Sequence, residues 1–245
     1  MNQYNIYTPI HTPPLEYAQK YLLQAGFSLS GQPHPGITHV LLSVPTFHSD
    51  GTLRGGGTPE EVLEGIPKDA AVIGGNVECG QFGGRHVIDL LRDEEYTAMN
   101  AGITAHCALK IALQRLNVTL KDCRVLIIGW GRIGKCLGQL LRGLGADVTV
   151  AVRRERDKAI LHALGCSAIF LKDIDPTRFR VIFNTAPAPV LPSCPGTGLK
   201  IELASVRGIG GDDVILAGGL PGTEAPESSG KLIADTILRI LSERR

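Results

Sequence analysis

The stretch VLIIGWGRIGKCL, residues 125–137, decides how this chain is read. Four apolar residues, rich in β-branched side chains, run into Gly129-Trp130-Gly131-Arg132-Ile133-Gly134, after which the pattern turns helical. A G-x-G-x-x-G that directly follows a strand and opens a helix is the arrangement that binds a dinucleotide. Gly129 permits the tight turn, Gly131 lets backbone approach a pyrophosphate, and Gly134 lets helix and strand pack closely. The helix start adds unpaired N–H groups and the positive end of its dipole. A glycine-rich turn without a ligand is the alternative, and the strand–turn–helix context argues against it.

The next strand, DVTVAV (147–152), selects the nucleotide. A carboxylate about 20 residues past the glycines would bond the ribose hydroxyls of NAD. Here Val152 is followed by Arg153, Arg154 and Arg156 instead. A planar guanidinium suits the additional phosphate of NADP, so NADP is the expected cofactor, with NAD possible. The alternative for these arginines is a solvated helix start. In such folds the ligand lies beyond the carboxyl ends of the strands. Asn184, Thr185 and Pro187 in FNTAPAP follow one of these ends, and Ser205 and Arg207 in ELASVRG follow another. The expected cofactor set is therefore Gly129, Trp130, Gly131, Arg132, Ile133, Gly134, Arg153, Arg154, Asn184, Thr185 and Pro187.

Outward from that unit, short apolar runs alternate with longer amphipathic ones, the pattern of α/β construction. YNIYT (4–8), THVLLSVP (38–45), AAVIGG (70–75) and RHVIDLL (85–91) read as strands, and PLEYAQKYLLQAG (14–26) as a helix ending on Gly26. In TPEEVLEGI, Thr58 caps a helix, Pro59 takes its first position and Glu61 completes a capping box. DEEYTAMNAGITAHCALKIALQRL (93–116) permits one long helix, but Asn100 and Gly102 favour a loop, with Thr104 capping a new helix. ERDKAILHALG is a helix, whereas SAIF, RVIFNTA, LKIELAS and DVILAGG are strands. Ile233, Ile237, Leu238 and Leu241 fall on one face of a terminal helix that would pack back on the first domain. The expected architecture is α/β. A smaller, flavodoxin-like N-terminal domain (1–103 plus 226–244) precedes a Rossmann-type doubly wound parallel sheet (104–225), with a cleft between them.

With 43% hydrophobic and 20% charged residues the composition is that of a globular protein, and a net charge of +1 offers no field for nucleic acid or an anionic membrane. The longest apolar runs are too short to span a bilayer and the N-terminus lacks the pattern of a signal peptide, so a cytoplasmic location is expected. Six scattered cysteines without a C-x-x-C pair suit reduced thiols, and the histidines lack metal-ligand spacing, so no metal is expected.

GWGRIGK, FNTAPAPVL, IELAS and GLPGTEAPESSGKLIADTIL, in this order and spacing over about residues 92–242, closely resemble the A-subunit family of bacterial dipicolinate synthase. MNAGITAH (99–106) is similar to that family's Asn-Ser-x-Pro-Thr-Ala-Glu element, which places Asn100 and Thr104 on its functional loop. More distantly, the layout looks like that of 2-hydroxyacid dehydrogenases. The resemblance implies NADP-dependent oxidation of a dihydrodipicolinate-type precursor from the lysine pathway to pyridine-2,6-dicarboxylate during sporulation. It also implies a partner, the flavoprotein-like B subunit; a homo-oligomer is expected. A non-catalytic NAD(P)-binding regulatory protein, or an oxidoreductase for another cyclic imine or hydroxy acid, are the alternatives. The chain departs from the family at Thr104-Ala105-His106-Cys107, where Thr-Ala-Glu-Gly is usual. It departs again at Ala204-Ser205-Val206-Arg207-Gly208, where Ala-Ser-Lys-Pro-Gly is usual. Two substrate carboxylates need cations or N–H donors. Arg207 is the first candidate, with Arg85 behind it because a surface role suits that residue better; Asn100, Thr104, Asn184 and Ser205 are neutral donors. His106 either serves as general base or merely packs or faces water.

Overall fold

The computed structural model describes residues 4–196 and 198–243. The last residue of the helix expected over 226–244 lies outside them. The chain divides into two compact units, one of residues 1–100 and 221–245, the other of residues 101–220.

In the first unit, β1 (Asn5–Tyr7) leads into α1 (Pro13–Gln24), β2 (Ser28–Ser30) and β3 (His39–Leu41). There follow α2 (Pro59–Leu63), β4 (Ala71–Gly74), β5 (Val87–Asp89) and the start of α3 (Glu94–Arg115). The sheet order is β2-β1-β3-β4-β5, every pair parallel. This is the flavodoxin-like order, with its switch point between β1 and β3. β3 and β4 are buried along their whole length, which is why they read as continuous apolar runs rather than alternating ones. α1 begins on two prolines behind Thr12 and buries Leu15, Ala18 and Leu22. It stops where Gly26 turns left-handed (φ 87°) and Phe27 N donates to Leu22 O at 3.1 Å. The capping box at α2 forms as expected, Thr58 and Glu61 exchanging hydrogen bonds of 2.8 and 3.2 Å.

Three expectations need correction. The loop expected at Asn100 and Gly102 does not form, because α3 is one helix of 22 residues. Its cap is Asp93, whose carboxylate accepts the Tyr96 N–H at 2.8 Å; Thr104 lies buried mid-helix and caps nothing. With the cap eleven residues before Thr104, the cost of Asn100 and Gly102 is small beside the alanines 101, 105, 108 and 112, all buried on this helix. The strand expected over 38–45 is only three residues long, and β2 was not anticipated, since Ser-Leu-Ser carries no apolar run.

The second unit holds β6 (Arg124–Ile128), α4 (Arg132–Gly143), β7 (Asp147–Val152), α5 (Glu155–Ala163) and β8 (Ser167–Phe170). β9 (Val181–Asn184), β10 (Leu199–Glu202) and β11 (Val214–Leu216) complete it. The order β11-β10-β9-β6-β7-β8 is all parallel and reverses between β6 and β9, the doubly wound dinucleotide-binding order. After α6 (Leu220–Glu224), α7 (Pro226–Glu243) returns to the first unit and packs on α1, so the two units are of nearly equal size. Ile233, Ile237 and Leu241 are buried in that core, and Leu238 is partly so. Arg239 anchors the far end of α7, donating to Asp93 at 2.7 Å and Glu95 at 3.0 Å.

The α1–α7 contact rests on Gly230. A Cβ there would strike Pro14 O and come within 2.8 Å of Ala18 N, which is backbone that cannot give way. Gly230→Ala is expected to cost about 1–3 kcal/mol, read as a lower urea midpoint at unchanged slope.

Candidate functional site

The glycine loop sits at the switch point of the second unit. Gly129 turns with φ 96°, and its N–H donates to Ala151 O at 2.9 Å. From the other side, Thr185 follows β9 and donates both N–H and Oγ1 to Ile128 O, each at 2.9 Å. Thr185 Oγ1 occupies the space a side chain at residue 129 would need, at 2.8 Å from its Cβ position. Gly134, in the first turn of α4, lies so close to Gly129 O that any Cβ would collide with it. Gly131 differs from both: it is the N-cap of α4, exposed, with ordinary backbone and nothing within 4 Å of where a Cβ would stand. That open space lies at the N-terminus of a 12-residue helix, where free N–H groups and the dipole favour a phosphate. The residues present therefore fit a dinucleotide pyrophosphate.

A cavity of about 440 Å³ adjoins the loop. Gly129, Trp130 and Gly131 form one wall, Arg153 and Arg154 at the end of β7 another, and Ala186, Pro187 and Val190 close it. Trp130 lays its ring against Gly138 of α4, 3.2 Å from that residue's Cβ position. Asp157, in the first turn of α5, also lines this cavity. Arg153 and Arg154 directly follow β7, and the acids Glu155 and Asp157 come after them in the first turn of α5. Asp157 was missed because it stands three residues past Arg154, and only the turn of the helix brings it to the cavity wall. Arg132 and Ile133 occupy the first two positions of α4, beside the open N-cap.

Asn184, expected at the cofactor, is fully buried and hydrogen-bonded within the protein. Its Nδ2 donates to Glu202 Oε1 at 2.7 Å and to Ala186 O at 3.1 Å, and its Oδ1 accepts from Ala186 N at 3.1 Å. Glu202 is a second residue missed by sequence reasoning. Its carboxylate, 3% exposed, also accepts Ala204 N at 3.1 Å, Gly208 N at 2.7 Å and Ile209 N at 3.1 Å. Four N–H donors solvate this one buried charge and tie the end of β9 to the loop after β10. A glutamate amid the apolar residues of LKIEL was the available signal, but its partners lie at the end of β9 and along the loop after β10.

The remaining candidates lie on separate elements. Asn100 and Thr104 are one turn apart on α3, whereas His106 is exposed on another side of that helix. Ser205 is exposed in the loop after β10. Arg207 donates Nε to Ile209 O at 2.9 Å and Nη2 to Gly211 O, so its guanidinium is largely used within its own loop. Arg85 is held in the same way by Pro67 O and Ile66 O.

Fold and loop together define a doubly wound α/β protein with a dinucleotide-type phosphate cradle. No protein-family model matches the chain. It is homologous to the dipicolinate synthase A subunit of Bacillus subtilis, 27% identical over 181 residues, which are 65% of this chain and 59% of that protein. The crystal structure of the dipicolinate synthase A subunit from Bacillus halodurans superposes with a TM-score of 0.82 at 20% identity, covering 98% of each chain. D-lactate dehydrogenase from Escherichia coli shares the fold at a TM-score of 0.54 and 14% identity, over 98% of this chain and 96% of that one. The family resemblance read from the motifs is thus supported by sequence and fold. Among the described residues no helix is long and apolar enough to cross a membrane.

The glycines should separate by substitution. Gly131→Ala is expected to leave stability within about 0.5 kcal/mol of the parent, whereas Gly134→Ala should cost about 1–3 kcal/mol, both read by urea unfolding. Glu202→Gln turns a donor group toward Gly208 N and Ile209 N and should destabilise by about 2–3 kcal/mol in the same assay.

Proposed function

We propose that this chain is an NADP-dependent oxidoreductase of the dipicolinate synthase A type, oxidising a dihydropyridine dicarboxylate to pyridine-2,6-dicarboxylate together with a B subunit. The observation that carries this reading is the open N-cap of α4 at Gly131, set between Gly129 and the Arg153–Arg154 wall at the switch point. Homology to the dipicolinate synthase A subunit supports the choice of substrate.

In this reading the N–H groups at the start of α4 hold the pyrophosphate, with Gly131 allowing backbone to approach it. Arg153 and Arg154 take the 2′-phosphate, each guanidinium offering a two-point contact. Thr185 and the Asn184–Glu202 pair keep the loop after β9 rigid where the nicotinamide end would lie. Bound oxidised nicotinamide supplies the hydride acceptor. The substrate loses one hydride and one proton, and the aromaticity of the product drives the step, so the protein mainly orients the ring. Asn100 and Thr104 are assigned as neutral donors to substrate. His106 receives no step, because it stands apart from both on the exposed side of α3. Asp157 in the same cavity favours one second reading, in which its carboxylate holds the ribose hydroxyls of NAD.

Calorimetric titration with NADP and NAD decides between them. NADP should bind more tightly, and Arg153→Ala with Arg154→Ala should raise its Kd by about tenfold or more per arginine while leaving NAD nearly unchanged. Gly131→Ala, neutral for folding, should weaken both nucleotides by about tenfold. Preference for NAD that is lost in Asp157→Ala would establish the second reading, and failure of both nucleotides to bind would remove the enzymatic one.

A further inference from the structure

If the substrate carries two carboxylates, the first unit should contain a cation able to meet one of them, and the arginines named from sequence are already used. Four arginines fall among the described residues of that unit. Arg85 serves two backbone carbonyls, Arg92 pairs with Asp89 at 3.4 Å, and Arg239 bridges Asp93, Glu95 and Glu243. Arg54 is different. Its Nε donates to Phe47 O at 3.1 Å, and neither Nη has a partner among the described residues. Its free end therefore presents two coplanar N–H donors, the geometry that matches a carboxylate in two-point fashion.

Its position is equally specific. Parallel open sheets take ligands outside the carboxyl ends of their strands at the switch point, here between β1 and β3. The chain leaves β3 through Ser43 and Thr46 into the segment 46–57 that carries Arg54. Thr46 is fully buried and holds the root of this segment: its Oγ1 donates to Ser43 O at 2.8 Å and accepts Gly75 N at 3.0 Å. The segment returns so that Arg54 N donates to Thr46 O at 2.9 Å, and Ser43 Oγ donates to Arg54 O at 3.4 Å. Gly55 then lies on Ile10, just beyond β1, so closely that a Cβ would collide with that side chain. Arg54 is thus pinned between the exits of both switch-point strands. The left-handed run Gly55, Gly56 and Gly57 (φ 100°, 94° and 79°) lets the backbone reach that position, which no other residue type would hold without strain. Glu61, the acid beside Gly57, is turned into the capping box at Thr58, and Asp50 accepts from Thr52 N and Oγ1 at 3.0 and 2.7 Å in the hairpin turn.

We propose that Arg54 forms a carboxylate-binding subsite at the β1/β3 switch point of the first unit and takes one carboxylate of a small dicarboxylate substrate. The identity of that substrate rests on the function proposed above; the subsite itself does not.

The test is calorimetric titration of the full chain with pyridine-2,6-dicarboxylate, succinate and inorganic phosphate, comparing the parent with Arg54→Lys and Arg54→Ala. NADP affinity and thermal midpoint are measured alongside. The expected result is a Kd for pyridine-2,6-dicarboxylate about 30-fold higher in the alanine variant and about 5–10-fold higher in the lysine variant, which keeps the charge and loses the fork. NADP affinity should not change. Binding of the pyridine dicarboxylate with equal affinity in all three proteins overturns the subsite and leaves the proposed function standing. Arg54-dependent binding of succinate or phosphate, without the pyridine dicarboxylate, upholds an anion subsite and overturns the substrate. No Arg54-dependent binding of any probe overturns the subsite.

Discussion

The contact on which the second unit depends is the seating of α4 on its preceding strand, where Gly134 meets the carbonyl of Gly129 with no room for a Cβ. This approach brings the helix start, with the positive end of its dipole, down onto the turn beside Gly131. Thr185 completes the arrangement from β9 by bonding Ile128 O through both backbone and hydroxyl. Crowding at two glycines and openness at the third are one device. The first two fix the helix, and the third leaves its positive end accessible to an anion.

A buried charge plays the corresponding role one strand further on. Glu202 is withdrawn from water and has no cationic partner among the described residues; four N–H donors take the place of its hydration. Three of these donors belong to the loop after β10 and the fourth is the last residue of β9, so the carboxylate sets the mutual position of that loop and the end of β9. Such a group is costly to bury and, once buried, costly to disturb, because removing it strands its donors. Lys200 shows the opposite solution on the same strand, its ammonium buried against Gly196 O and Asp213 at 3.1 and 2.6 Å. The nearby Lys200 ammonium holds the Asp213 carboxyl below the usual carboxylate range.

In the first unit the constraint is closure by the far end of the chain. α7 completes a core that β1, β3, β4 and α1 begin, and Gly230 against the backbone of α1 allows the two helices to approach. Helix α3 carries the boundary between the units within it, between Asn100 and Ala101. Its course was misread because the two residues that suggested a break, Asn100 and Gly102, are local signals of modest cost, while the decisive cap at Asp93 lay seven and nine residues before them.

By itself the sequence determined the elements whose signals are local. The glycine loop and its strand–helix context, the capping box at Thr58, the left-handed stop at Gly26 and the apolar face of α7 each need only a few neighbouring residues to be read. The parallel α/β class and the return of the terminal helix followed from the order of those elements. Tertiary structure alone decided which polar groups remain available for a ligand. Arg85 and Arg207 have the charge expected of carboxylate ligands but give it to backbone carbonyls in their own neighbourhoods, whereas neither Nη of Arg54 has a partner among the described residues. Asp157 reached the arginine wall through the first turn of α5, and Glu202 its four donors through the fold of the loop after β10 and its pairing with the end of β9. A hydrogen bond is spent or free according to what the fold places within 3 Å of it, and residue type and spacing along the chain do not contain that distance.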